Sequence, residues 1–453
     1  MYLGQKGYTI PKSCLTADEQ RKLKASLMFS PKNTFNPGQV TSFHAYRESP
    51  AKFYIPRFFG VARYGEVPSK LKDPTSITPE FKGTLRANQL PAVEAFMQTK
   101  YGLLELPCGY GKTILALYLV SLLKVKTLII VHKDFLLQQW VERIQEFLPT
   151  VSVGRIQGTQ LDVQKDIVIG MLQSLSMKEY EPSVFDGFGL TIIDETHHIA
   201  AEVFSNALFK IVTPYMLGLS ATMERPDGLT KVFKQFIGPI VYSAQRETTD
   251  SVVVQQVEFR TPDAEFNETV LNFKGQANYA VMINKLCDFA PRSEFVLTVL
   301  GHLLATPTNE QIMILSQNKS LLAYLHDAIT HRQISPVGYY VGGMKSKDLK
   351  ETETKRVILA TYAMAEEALD IKTLTTLLMA TPKKNVTQAV GRILRVKHAA
   401  PLVVDIVDPH PTFKRQWSTR KTFYRKNKYT IVQSSSDDYP TVRRTAERPE
   451  CLL

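Results

Sequence analysis

Apolar residues recur along this chain as short unbroken runs, separated by longer stretches in which they return every three or four positions. The runs predict buried strands and the spaced stretches predict amphipathic helices. Leu103-Leu104-Glu105-Leu106, Thr127 to Val131, Asp166 to Ile169 and Leu190 to Ile193 read as strands, with a helix over Thr113 to Leu123 between the first two. A second series begins after about residue 250, with Gln311 to Leu315, Arg356 to Ala360, Thr376 to Met379 and Leu402 to Val407 as its apolar runs. This alternation predicts an α/β protein with two tandem, doubly wound, mostly parallel sheets. The Pro-rich passage Pro68 to Pro79 reads as a connector. The expected division is therefore an N-terminal domain over 1–80, a first sheet domain over 81–250, a second over 251–410 and an extension over 411–453.

With 453 residues, 44% of them hydrophobic, the chain can bury cores for two or three domains. No run of about 20 uncharged apolar residues occurs, and no secretory signal pattern opens the chain, so neither a membrane span nor secretion is expected. Cys14, Cys108, Cys287 and Cys451 lie far apart with no CxxC pair. That spacing suggests neither a zinc site nor a disulfide framework, and fits a reducing intracellular compartment. The net charge of +12 becomes informative once it is located. Residues 1–80 carry 12 basic and 6 acidic side chains, and residues 409–453 carry 10 and 4, so the middle is neutral. A polyanion would be drawn mainly to the two ends, while the neutral middle suits an enzymatic core; charge placed for solubility is the plainer alternative.

Chemistry concentrates at the first strand end. In Leu106-Pro107-Cys108-Gly109-Tyr110-Gly111-Lys112-Thr113, glycines let backbone N–H groups curve around phosphates, and the following helix aims its positive end at them. Lys112 would hold the β- and γ-phosphates and Thr113 would ligate Mg²⁺. The common pattern has glycine where Leu106 stands. A ligand-free glycine turn is the plainer alternative. Asp194-Glu195 follows the apolar run Leu190 to Ile193, which puts two carboxylates at the end of a buried strand, an expensive place for idle charge. Asp194 would hold hydrated Mg²⁺, and Glu195 would orient and deprotonate the attacking water. The adjacent His197 and His198, with no other ligand near in sequence, make a poor metal site.

Over roughly residues 81–408 the chain resembles the superfamily 2 helicases of the DExH type, which implies two RecA-like domains, ATP and Mg²⁺. Arg86-Ala87-Asn88-Gln89 is similar to the Q motif, whose glutamine would pair with adenine. Leu106-Pro107-Cys108-Gly109 resembles the XPB-type helicases of repair and transcription. Ser220-Ala221-Thr222 matches the motif that couples hydrolysis to nucleic-acid contact, and His197 belongs with it by resemblance. Ala360-Thr361 and Glu367-Ala368-Leu369-Asp370 resemble the fifth motif, in which Thr361 would touch the nucleic-acid backbone and Asp370 the nucleotide; Ala368 replaces the usual glycine. Gln388-Ala389-Val390-Gly391-Arg392-Ile393-Leu394-Arg395 fits QxxGRxxR at every fixed position, which implies Arg392 and Arg395 as arginine fingers. Arg225 and Asp227 carry over from an Arg-Glu-Asp element of the XPB type, a match that Pro226 interrupts.

Ala45-Tyr46-Arg47-Glu48, Phe53 to Gly60 and Phe423 to Tyr429 look like the transcript-release DNA helicases of poxviruses and other large DNA viruses. That resemblance implies a 3′ to 5′ DNA helicase or translocase in viral transcription, with replication or repair as further settings. The implied partners are single-stranded and duplex DNA, RNA–DNA hybrid, and RNA polymerase or transcription factors. The implied location is intracellular, in host cytoplasm or nucleus, with packaging in the virion a further expectation. Two other readings stay open: an RNA helicase or non-unwinding translocase, and a nucleotide-gated nucleic-acid-binding subunit without useful turnover.

From Lys414 to Lys428 there are seven Lys or Arg residues and no acidic one, interleaved with Trp417, Phe423 and Tyr424. Such a run can track phosphates while its aromatics stack on bases, or its aromatics can pack on the second domain. Tyr46, Phe53, Tyr54, Phe58 and Phe59 beside Arg47, Lys52, Arg57 and Arg63 raise the same choice, and there a small core is the expected use. Residues after about Gln433 are Ser-, Asp- and Arg-rich and are expected to be mobile.

Overall fold

The computed structural model describes residues 1–30, 42–107, 109–195, 201–221, 228–244, 252–305, 311–367, 371–394, 398 and 401–439. The chain divides into two compact units, Met1–Arg246 and Glu247–Leu453, each built around its own parallel sheet.

The first unit's sheet runs, edge to edge, Gln160–Leu161, Val153–Gln157, Ile167–Met171, Thr127–Val131, Leu190–Ile193, Tyr215–Ser220, Tyr101–Glu105 and Ile240–Ser243. Every neighbouring pair is parallel except the short Gln160–Leu161 hairpin. Thr127–Val131 and Leu190–Ile193 are buried along their whole length. Covering on both faces is why their sequences read as unbroken apolar runs and do not alternate. Two strands separate Tyr101–Glu105 from Thr127–Val131, the next strand in sequence. The helix Lys112–Leu123 makes that crossover and so starts at the carboxyl ends of the strands, where open α/β sheets bind ligands.

Ahead of this sheet lies an antiparallel one, in the order Tyr2–Gly4, Gly7–Pro11, Lys52–Ile55 and Arg47–Glu48. Phe29 and Phe43 of a separate two-stranded pair, Met28–Phe29 and Phe43–His44, are buried in one core with Tyr8 and Phe53 of this sheet. The helix Arg57–Tyr64 crosses it so closely that a Cβ on Gly60 would lie 2.2 Å from the Tyr8 ring. Arg57 points away from solvent and donates to Thr213 O at 3.3 Å and Pro214 O at 2.9 Å, and the Phe58 ring sits 4.5 Å from that of Tyr101. Much of the aromatic and basic N-terminal run thus serves packing, inside its own module and against the larger sheet.

In the second unit, seven strands are all parallel: Val337–Tyr340, Val357–Thr361, Gln311–Ser316, Leu374–Met379, Leu402–Val407, Val253–Glu258 and Thr430–Ser435. The helix Pro411–Lys426 buries Phe413, Trp417, Arg420 and Tyr424, a spacing of three and four that marks one helical face. The expectation of mobility after about Gln433 is corrected over its first residues. Gln433 to Ser435 complete the edge strand beside Val253–Glu258, and the Tyr439 ring packs 5.7 Å from Phe295 and 5.2 Å from His302. Backbone pairing and one anchoring tyrosine outweigh the polar composition there. Residues 440–453 lie outside the described residues. Among the described residues, no helix is long and apolar enough to cross a membrane.

Candidate nucleotide-binding and catalytic site

The strand Tyr101–Glu105 leads through Leu106 to Gly111 into the helix Lys112–Leu123. Gly109 and Gly111 have φ of 80° and 86°, a region that side-chain-bearing residues avoid. A Cβ on Gly111 would lie 2.7 Å from Gln89 Nε2 and 2.9 Å from Arg86 Nη2, so glycine is required there for space as well as conformation. Those two side chains brace the loop. Arg86 Nη2 donates to Gly109 O at 2.9 Å and to Tyr110 O, while Gln89 Nε2 donates to Tyr110 O at 2.8 Å and Gly111 O at 3.4 Å. Gln89 Oε1 accepts from the Arg86 amide at 2.9 Å. Carbonyls tied back in this way accompany a curvature in which successive N–H groups face an anion. The Gln89 amide that the resemblance assigns to adenine is here spent on the loop itself.

Leu106 is fully buried, and its N–H donates to Ser220 O at 2.8 Å. It adds one rung to the pairing of Tyr101–Glu105 with Tyr215–Ser220 and fills the core beneath the loop. Leucine in place of glycine is therefore a packing feature at this position. Ser220, also fully buried, stands in register with Glu105, so the expected coupling motif abuts the strand that enters the phosphate loop. Ala221, next in sequence, is half-buried, as is Pro107.

Asp194 and Glu195 follow the buried strand Leu190–Ile193. Lys112 Nζ donates to Glu195 Oε1 at 2.6 Å, and Trp140 Nε1 donates to Asp194 Oδ2 at 2.9 Å. Asp194 is only 6% exposed. Burial first, and the neighbouring Glu195 carboxylate second, push its carboxyl up to about 6, against the pull of Lys112 and the indole bond. Glu195 has φ of 51°, a left-handed conformation that a side-chain-bearing residue holds only under constraint from its surroundings.

Two carboxylates face one ammonium at a buried strand end, beside a glycine cradle at a helix N-terminus. The donor set fits a divalent cation carried by a polyphosphate, which would offset the excess negative charge. Thr113, half-buried in the first turn of that helix, and Asp194 would hold the cation, and Lys112 the phosphates.

In the second unit, Thr361 ends the strand Val357–Thr361 in register with Ser316. Gln388 and Arg392 lie on the short helix Thr387–Arg392. Arg392 is 6% exposed, and its Nη2 donates to Glu366 O. The first unit thus gathers Arg86, Gln89, Gly109, Tyr110, Gly111, Lys112, Thr113, Asp194, Glu195 and Ser220. Thr361, Gln388 and Arg392 belong to the second. Cys108, His197, Thr222, Arg225, Asp227, Asp370 and Arg395 lie outside the described residues.

The motifs missed Trp140. Its position with Leu136, Leu137 and Ile144 on the buried face of the helix Asp134–Phe147 signals core. An indole N–H on such a face needs an acceptor, yet nothing in the sequence points to one 54 residues onward. Arg420 was missed in the same way. It pairs with Asp405 through two 2.7 Å contacts and donates to Lys383 O at 2.7 Å.

The family model described as "Type III restriction enzyme, res subunit" matches residues 82–225, which include the phosphate loop and the acidic pair. A protein of Acanthamoeba polyphaga mimivirus, named for an ATP-dependent RNA helicase, is 32% identical over 444 residues, covering 94% of this chain and 85% of its own length. A protein of Sulfurisphaera tokodaii named DNA 3′-5′ translocase XPB2 is 40% identical over 158 residues, 35% of each chain. Among solved structures, S. cerevisiae Dbp5 bound to RNA and ADP BeF3 is similar with a TM-score of 0.55 at 12% identity, covering 79% of this chain and 91% of its own. That likeness shows the fold: two tandem RecA-like domains.

Proposed function

Because the chain belongs to the XPB-like superfamily 2 helicases of large DNA viruses, an ATP-hydrolysing class, we propose that it is a DNA-directed 3′ to 5′ motor of viral transcription. The observation that carries the motor reading is the buried Asp194 and Glu195 pair with Lys112 on Glu195 at 2.6 Å, beside the glycine cradle. Mg²⁺, when bound, supplies positive charge to the phosphates and is held by Thr113 and Asp194. Lys112 orients the β- and γ-phosphates. Glu195 takes the proton of the attacking water at a carboxylate oxygen. Trp140 keeps Asp194 turned toward its task, and Gln89 and Arg86 hold the loop's shape. Arg392 and Arg395 are assigned to charge stabilisation from the motif they fit.

The division of labour follows the sequence: an N-terminal module over 1–80, an ATP-binding domain over 81–250, a second motor domain over 251–410 and a basic extension over 411–453. DNA as substrate is supported by the 40% match to a protein named as a DNA translocase. RNA is the second reading, favoured by the name of the mimivirus relative. Transcript release with RNA polymerase, inside the infected cell, is the setting implied by the resemblance of Ala45 to Glu48, Phe53 to Gly60 and Phe423 to Tyr429 to transcript-release helicases.

Steady-state ATPase measured with single-stranded DNA, duplex DNA and RNA at fixed salt tests the proposal. Stimulation by DNA well above that by RNA is expected, together with displacement of a strand when the loading tail is 3′. Preferential stimulation by RNA would move the assignment to the second reading.

A further inference from the structure

Between the helices Ala264–Asn267 and Tyr279–Asp288, the second unit projects a short hairpin whose tip is Phe273. Leu271 pairs antiparallel with Ala277. Asn272 N–H donates to Gln276 O at 2.7 Å, Gly275 N–H to Asn272 O at 2.9 Å, and Asn278 N–H to Val270 O at 2.8 Å. The Asn272 side-chain oxygen accepts from the Lys274 and Gln276 amides at 2.9 and 3.1 Å. Gly275 takes φ of 70°, which closes the turn. Five hydrogen bonds thus fix a five-residue turn that holds Phe273 93% exposed. A free loop could fold such a ring back onto the surface, whereas this one is built to present it.

The hairpin's root has a definite place in the fold. Tyr279 follows it directly, donates through its hydroxyl to Pro382 O at 3.3 Å and accepts from Gln317 Nε2 at 2.8 Å. Gln317 comes immediately after Ser316, which is in register with Thr361 on the neighbouring strand. The root therefore stands at the same strand-end edge of the sheet as Thr361. From Thr269 to Asn284 the only ionised side chain is Lys274, whose ammonium lies 5.4 Å from the centre of the Phe273 ring. One open aromatic face beside one cation suits a base together with its phosphate. A protein partner needs a broader patch, about 800 Å² per side; along this hairpin the exposed apolar side chains beside Phe273 are Leu271 at 57% and Val270 at 37%, and the tip itself places Phe273 between Asn272 and Lys274.

We propose that Phe273 is a stacking wedge that takes the first unpaired base where two nucleic-acid strands part, with Lys274 on the adjoining phosphate. This rests on the reading of the chain as a motor on nucleic acid with Thr361 at its track.

The test uses the full chain with a forked duplex bearing a 3′ single-stranded tail and 5-iodouracil at the junction. Photocrosslinking should label the segment that contains Phe273, and Phe273→Ala should cut base pairs opened per ATP hydrolysed about ten-fold, the scale of one lost base stack. Phe273→Trp should restore both signals, and circular dichroism should show all variants folded. An unchanged coupling ratio in Phe273→Ala with a wild-type chain that unwinds overturns the wedge and leaves the motor reading intact. Unchanged coupling with loss of a bound protein partner likewise overturns it, in favour of docking. A wild-type chain that no nucleic acid stimulates removes the motor reading and the wedge together.

Discussion

Trp140 Nε1 donates to Asp194 Oδ2 at 2.9 Å across 54 residues of sequence, and both side chains are buried. A buried carboxylate that must face a cation with one oxygen gains from having its other oxygen fixed by a neutral donor. Removing that donor while keeping an aromatic ring isolates the effect. Trp140→Phe should lower stability by about 1–3 kcal/mol, because a charged acceptor loses its partner. It should also raise the Mg²⁺ concentration for half-maximal nucleotide binding by about ten-fold or more, as lost supports of metal ligands do. Urea unfolding and a Mg²⁺ titration with a fluorescent ATP analogue measure the two effects. A change in stability with no change in the Mg²⁺ midpoint would reduce Trp140 to a packing residue.

Lys112 and Glu195 touch at 2.6 Å but have separable tasks. Glu195→Gln keeps the size and a hydrogen-bonding end, yet removes the base, so hydrolysis should fall by about 10²–10⁴-fold with nucleotide still bound. Lys112→Ala removes the phosphate contact, so binding itself should weaken. Comparing turnover with equilibrium nucleotide affinity for both variants checks this, and equal loss of affinity in both would contradict the division of roles.

Strand positions, the two mostly parallel sheets and the phosphate loop were legible because each rests on local pattern: apolar runs for strands buried on both faces, glycines for the turn. What the pattern could not supply was pairing over distance. Arg420 sits inside a run of seven basic residues that could track phosphates or pack on the second domain, and nothing local marks it as the one that is 1% exposed and bound to Asp405. Trp140 lies on the apolar face of Asp134–Phe147, a pattern that marks core and carries no sign of the Asp194 acceptor that gives it a second role. Leu106 read as a departure from the loop pattern until its burial and its bond to Ser220 O made it part of the strand.

The basic helix Pro411–Lys426 splits into two faces with different consequences. Arg420→Ala would leave Asp405 buried without its fork of hydrogen bonds, at a cost of about 3–5 kcal/mol. Arg415, Arg425 and Lys426 are exposed on the opposite side. Replacing these three with glutamine should leave thermal unfolding close to wild type, while the slope of log affinity for duplex DNA against log salt falls by up to about 3. With Phe413, Trp417 and Tyr424 buried, this helix offers those aromatics to the core, so its grip on nucleic acid is expected to be electrostatic. Base-stacking signals that persist after the triple substitution would contradict that.

His410 offers a pH test that needs no ligand. It is 1% exposed, its Nε2 lies 2.6 Å from Phe266 O, and rings of Phe266 and Phe413 close around it at 5.2 and 5.7 Å. Burial holds its pKa below the ordinary 6.5, with Lys285 and Arg292 pushing the same way and Asp408 and the Phe266 carbonyl opposing. The folded state thus keeps His410 neutral at pH values where the unfolded chain already binds a proton, so its contribution is present above about pH 6.5 and is lost as pH falls below it. His410→Gln retains a donor toward Phe266 O and does not titrate. The stability difference, wild type minus variant, should therefore shrink between pH 7 and pH 5 in urea unfolding. The Arg292–Asp408 pair is present in both proteins and drops out of that difference. A difference that stays constant across the range would show that His410 takes up its proton as readily folded as unfolded.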